Sequence, residues 1–162
     1  MIVIGIDPGT AITGYGVIEE YPDKSLHLVE HGAIRTPSGM DADQRLKILH
    51  EELTEKLHSF SPDCAAVEKL YFQKNVRTAL NVGQARGVIL LALAQIPIPV
   101  YEYNPMDIKL AVTGYGMAEK MQVQQMVKVL LCLREIPKPD DAADALAIAI
   151  CHAHSAKLRT LD

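Results

Sequence analysis

Four carboxylates stand where chemistry would use them. Asp7 closes the first apolar run of the chain, and Glu68 closes another, Cys64-Ala-Ala-Val-Glu68. Asp141 and Asp144 open an alanine-rich stretch, three residues apart and so on one face of a helix. Carboxylates gathered in one place repel one another unless they are protonated or bridged by a cation. Oxygen ligands without His or Cys suit Mg²⁺ or Mn²⁺ better than zinc. Two such ions about 3.5–4 Å apart activate a water and stabilise the leaving oxygen of a phosphodiester. Each acid also has a plain structural reading. Asp7 before Pro8-Gly9 starts a turn, Glu68 ends a strand, and Asp140, Asp141 and Asp144 favour a helix N-terminus. Against that, Ala142, Ala143, Ala145 and Ala147 surround Asp144 with small apolar residues. Such a helix packs closely, and a carboxylate on its packed side needs a partner, for which a shared metal would serve.

The elements that must position these acids follow from hydrophobic spacing. Residues 2–7, 13–19 and 26–36 read as strands with short connections, an antiparallel meander. Over residues 41–59 the period changes: Leu46, Leu49, Leu53 and Leu57 recur at helical spacing, and Ser61-Pro62-Asp63 ends the helix. Residues 64–68 predict a buried strand. Residues 76–95 are apolar on most faces and predict a central buried helix. A strand over 99–103 and helices at about 105–112, 118–133 and 141–154 complete the chain. The order β-β-β-α-β-α-β-α-α-α describes a five-stranded mixed sheet flanked by helices, an α/β architecture in one domain over residues 1–162. Strands one and four, if adjacent and parallel, bring Asp7 and Glu68 side by side at the carboxyl edge of the sheet, which ligand sites favour.

The 162 residues include 49% hydrophobic and 22% charged side chains, ordinary for a globular protein and unlike a disordered one. Cys64, Cys132 and Cys151 form neither a zinc pattern nor a disulfide framework. A reducing compartment, the cytoplasm, is expected, with Cys132 and Cys151 as small core residues. The first seven residues lack the cationic region of a signal peptide. The most apolar stretch, 88–100, is too short for a bilayer and contains Gln95, Pro97 and Pro99, so no membrane is expected. His152 and His154 read as surface or helix-end residues. The net charge is −4, yet residues 69–134 carry eight Lys and Arg against three acids, +5, leaving −9 for the rest. A basic middle in an acidic protein fits either a local phosphate-binding surface or a chance cluster on solvated helices.

Five blocks in order carry a resemblance. They are Gly5-Ile6-Asp7-Pro8-Gly9-Thr10 with Thr13-Gly14-Tyr15-Gly16, then Val67-Glu68, then Asn81-Val82-Gly83-Gln84-Ala85-Arg86-Gly87, then Ala118-Glu119-Lys120, and last Asp141-Ala142-Ala143-Asp144-Ala145-Leu146-Ala147. Together they cover nearly the whole chain, which resembles the RuvC family of bacterial Holliday-junction resolvases, nucleases of ribonuclease-H-like fold. The resemblance implies a homodimer that binds four-way junction DNA and nicks two opposing strands symmetrically during recombination and repair. It implies that Asp7, Glu68, Asp141 and Asp144 are catalytic and hold Mg²⁺, or Mn²⁺, as two ions per site. Lys109 and Lys120 match basic residues near the scissile phosphate, where a cation would stabilise developing charge. Tyr71 matches an aromatic near the junction centre, placed to stack on an unpaired base. A branch-migration helicase complex, RuvA and RuvB, is an implied partner. Lys74, Arg77 and Arg86 would contact phosphates without reading sequence. Arg86, in an apolar helix, equally suits a dimer interface or a buried pair. Asp140 precedes Asp141 directly; the run Asp-Ala-Ala-Asp favours Asp141 with Asp144 and leaves Asp140 as the cap.

Three rivals are weaker. Asp-x-Gly-Thr also opens the ATP-binding folds of sugar kinases and actin-like proteins, which need a second domain and a second phosphate loop not found here. A junction-binding module without cutting does not need four acids. A related nuclease with another nucleic-acid substrate differs only in substrate shape, which a sequence does not display.

Overall fold

Burial of both faces of the first strand organises the structure, a computed structural model that describes the backbone of residues 1–70 and 76–159 and the side chains of 1–70 and 78–155. In β1 (Ile2–Asp7), Val3, Ile4 and Ile6 are all fully buried, as expected of a strand covered on both sides. β2 (Ile12–Glu20) and β3 (Leu26–Arg35) extend the sheet antiparallel on one side. β4 (Cys64–Glu68) pairs parallel to β1 on the other, and β5 (Val100–Tyr103) pairs parallel to β4. The order is β3-β2-β1-β4-β5, so the expected three antiparallel and then parallel strands are present.

Alternation along the strands divides the core in two. Val3, Ile18 and Ala66 face α3 (Pro105–Thr113), α4 (Lys120–Leu130) and α5 (Asp140–Arg159). Ile4, Ile6, Val17, Ala65 and Val67 face α1 (Ala42–Phe60) and α2 (Val76–Ala94). The helix against the middle of the sheet is α5. It lies so close that a Cβ on Gly5 would sit 2.1 Å from the Ala145 carbonyl oxygen, and one on Gly14 would sit 2.0 Å from that of Asp141. Glycine in β1 and β2 and alanine in α5 are one packing solution, and the alanine-rich stretch does pack closely.

Five expectations need correction. The central buried helix is α5 and not α2. Among the described residues α2 is covered on one side, by way of Ala85, Ile89, Ala92 and Leu93, while Leu80 and Leu91 are more than half exposed. The overall apolarity of α2 is therefore not a sign of burial on all faces within one chain. His152 is not a surface residue: α5 continues to Arg159, and His152 is only 4% exposed. Cys132 is exposed, in a left-handed turn (φ 52°) just after α4, which ends at Leu130 and not at 133. Asp140 is the first residue of α5 rather than its cap; the Pro139 carbonyl accepts from the Ala142 and Ala143 amides. Among the described residues no helix is long and apolar enough to cross a membrane.

Candidate active site

The parallel register of β1 on β4 runs Ile6↔Val67, so Asp7 and Glu68 follow as neighbours at the carboxyl edge, one strand spacing of about 4.8 Å apart. Both lie on the α5 face of the sheet, since Ile6 and Val67 face the other way. Across them, α5 presents Asp144. The result is a cleft of about 300 Å³ lined by Asp7, Glu68, Asp144, Lys109 and Lys120 over an apolar floor that includes Ile108 and Val123. Asp141 lies over Gly14 of β2, beside the cleft and outside its lining.

The acids feel one another. Burial first, then the charges of Glu68, Asp144 and Asp141, push the Asp7 carboxyl up to about 8, with Lys120 opposing. Burial raises Glu68, helped by Asp144 and opposed by Lys109. Burial also raises Asp144, although Lys120 draws it down. The Lys120 ammonium donates to Asp144 Oδ2 at 2.7 Å and lies 3.9 Å from Asp140. That hydrogen bond raises Lys120. The partner that Asp144 requires is thus a lysine carried by α4. A capping box between Glu119 and Gln122 starts that helix and places Lys120 as its first residue.

The turn after Asp7 is fastened from two sides. Thr13 Oγ1 donates to the Gly9 carbonyl at 2.7 Å, and Thr36 Oγ1 donates to the Thr10 carbonyl at 2.8 Å. Arg45 Nε in turn donates to Thr36 Oγ1 at 2.9 Å. On the other flank, Tyr103 Oη and His152 Nδ1 share a buried hydrogen bond of 2.8 Å. It ties β5, next to Glu68, to the helix that bears Asp141 and Asp144. The Lys69 amide also donates to the Tyr103 carbonyl at 2.8 Å, fixing the chain as it leaves Glu68. Sequence reading missed these supports. Spacing does not reveal that Tyr103 and His152, 49 residues apart, meet, and Arg45 lies outside the basic segment.

Of the other residues singled out, Arg86 forms an ion pair with Glu102 of β5, so its charge is already matched. Tyr71, Lys74 and the side chain of Arg77 lie outside the described residues.

The donor set is tested for a metal by its chemistry. Among the described residues no three His, Cys, Asp or Glu side chains close into a metal cage. A hard hydrated cation does not require one. Mg²⁺ keeps several waters and is held through one or two carboxylates plus a substrate phosphate. A carboxyl pushed up first by burial and then by its acidic neighbours marks a place where added positive charge would be favourable. The residues fit such an ion.

Known proteins resemble this chain over nearly its whole length. A family model described as crossover junction endodeoxyribonuclease RuvC matches residues 3–152. The RuvC protein of Halothermothrix orenii is 54% identical over 158 residues, covering 98% of this chain and 95% of that protein. That of Desulforamulus reducens is 58% identical over 153 residues, covering 94% and 93%. The structure of Thermus thermophilus RuvC in complex with a Holliday junction substrate superimposes with a TM-score of 0.90 at 36% identity, covering 99% of this chain and 98% of that one.

Proposed function

The chain belongs to the RuvC family of crossover junction endodeoxyribonucleases, a DNA endonuclease that resolves Holliday junctions, and from this we propose how its own residues do the work. Asp7, Glu68, Asp144 and Asp141 are the catalytic carboxylates, and they hold Mg²⁺ or Mn²⁺ as two ions. Bound there, the ions supply an activated water and offset charge on the leaving oxygen. Asp7 must give up its proton as the cation binds, because a coordinating carboxylate is deprotonated. Lys120, resting on Asp144, and Lys109, near Glu68, direct positive charge into the cleft, where the attacked phosphate gathers negative charge. The apolar floor limits water and strengthens each of these interactions.

The observation that carries this reading is the convergence of Asp7, Glu68 and Asp144 with two lysines in one cleft. Symmetric nicking needs two such clefts. The uncovered stripe of α2, Leu80, Gly83, Gln84, Gly87, Leu91 and Ala94, recurs at helical spacing, and a Cβ on either glycine would meet open space. A second copy of the chain against this stripe would make an isologous homodimer matched to the near two-fold symmetry of a junction. The same reading takes residues 1–162 as one nuclease domain in the cytoplasm, working with RuvA and RuvB. Tyr71, Lys74 and Arg77 are its DNA contacts.

The test is cleavage of a synthetic four-way junction in Mg²⁺ beside a linear duplex. Paired nicks in opposing strands of the junction alone are expected. Asp7→Asn should slow them by roughly a hundredfold or more while junction binding persists. Equal cutting of the duplex, or full activity in the variant, would overturn the assignment.

A further inference from the structure

The carboxyl edge of the sheet carries cations beyond those in the cleft. β3 runs antiparallel to β2 and therefore in the same direction as β1, so it ends on the edge where Asp7 lies. Its last residue is Arg35, followed by Thr36. Ile34 packs in the core on the α1 side, so Arg35 projects from the opposite face, the one that carries Asp7 and Glu68. Arg35 is exposed. α1 also begins at this edge, and Arg45 on its first turns is half-buried with Nε fixed on Thr36 Oγ1. The acids of that turn, Asp41 and Asp43, form no ion pair with it among the described residues. Among the described residues no carboxylate comes within 4.0 Å of either guanidinium.

A guanidinium with only Nε engaged keeps the N–H groups of its two terminal nitrogens for a planar, bidentate acceptor such as a phosphate. Fixing Nε also removes part of the conformational entropy that binding would otherwise cost. We infer that the β3 end of the sheet edge is a second phosphate-binding patch, with Arg35 on the face of the cleft and Arg45 on the α1 face of the same edge, which grips the backbone of a junction arm away from the point of cleavage. The inference rests on the junction-binding reading of the cleft. The patch is two strand spacings, roughly 10 Å, from Asp7 along the edge. At about 3.4 Å of rise per nucleotide that is some three nucleotides along a strand. The grip is also joined to the catalytic turn. Arg45 holds Thr36, and Thr36 holds the Thr10 carbonyl three residues after Asp7.

The test measures binding of a fluorescently labelled four-way junction to the full chain without divalent metal, over a range of KCl concentrations. Each phosphate contact contributes about 0.9 to the slope of log affinity against log salt. Arg45→Gln should lower the slope by about that amount and weaken binding roughly tenfold near 0.1 M salt. Arg45→Lys, which retains the charge, should keep most of the slope. Arg35→Gln touches no hydrogen bond or ion pair of the fold among the described residues, so it stands in if Arg45→Gln does not fold, and it should also lower the slope. Thr36→Val should loosen the turn yet leave the slope near wild type, which separates phosphate contact from mere support. Unchanged slopes in Arg35→Gln and in folded Arg45→Gln would overturn the patch, even with wild-type junction binding and nicking intact. Loss of those wild-type activities would instead strike the reading of the cleft.

Discussion

Asp7 concentrates the electrostatic tension of the site in one carboxyl group. Burial and three neighbouring acids hold it near 8, against 3.8 for an ordinary aspartate. The folded chain therefore binds that proton more tightly than the unfolded chain does. Between about pH 4 and pH 8 only the folded state keeps it, so this group's contribution to stability is lost as pH rises through that window. Glu68 and Asp144 are raised as well and act in the same direction. The metal-free protein is accordingly expected to melt at a lower temperature at pH 8.5 than at pH 5.5. Asp7→Asn should remove most of that difference and melt above wild type at pH 8.5. Mg²⁺ should raise the wild-type Tm there and leave the variant nearly unmoved. Thermal denaturation followed by circular dichroism decides it, and a wild-type Tm independent of pH would contradict the assignment.

At the scale of elements, the contact of α5 with β1 and β2 sets the distances between the acids. Asp141 and Asp144 ride on α5, while Asp7 and Glu68 end strands beneath it. With Gly14 replaced by alanine, the added Cβ would fall 2.0 Å from the Asp141 carbonyl oxygen, a backbone atom that cannot rotate away. The helix must lift at its N-terminal end. Gly14→Ala is expected to cost about 2–3 kcal/mol, a fall in Tm of roughly 5–10 °C. Nicking of the junction should decline further than junction binding, since the displaced end carries the carboxylates. A Tm within a degree of wild type would show that α5 does not depend on this contact. The hydrogen bond between Tyr103 and His152 works at the same scale, pinning the far part of α5 to β5. Leu46, Leu49, Leu53 and Leu57 announced α1 from spacing alone, whereas the role of the glycines emerged only once the helix above them was seen.

At the scale of the whole molecule, α2 presents a stripe that the described residues leave exposed. Its buried face is satisfied within the chain, yet Leu80 is 61% exposed and Leu91 is 53% exposed on the opposite stripe. Leu91→Glu puts a charge on that stripe without touching the internal core. Sedimentation velocity at micromolar concentration should report a dimer for wild type and a monomer for the variant. The variant should also lose coordinated nicking of opposing strands while each cleft keeps its chemistry. A wild-type monomer at that concentration would argue against the paired arrangement.

The strands, the alanine-rich helix and the positions of the four candidate acids along them were legible in the sequence because each depends on local pattern. A run of β-branched residues, a helical repeat or a spacing of three residues needs no knowledge of distant parts of the chain. The adjacency of Asp7 and Glu68 followed conditionally, from two strands whose parallel pairing still had to be found. Tertiary structure alone decided which helix is central. α2 and α5 are both rich in apolar residues, and only the close approach allowed by Gly5 and Gly14 gives the middle of the sheet to α5. It also decided the partners of charges. Lys120 meets Asp144, Arg86 meets Glu102, and Arg45 meets Thr36 across 24, 16 and 9 residues. Long side chains choose partners by where the backbone ends up, and that is a property of the assembled layers rather than of any segment within them.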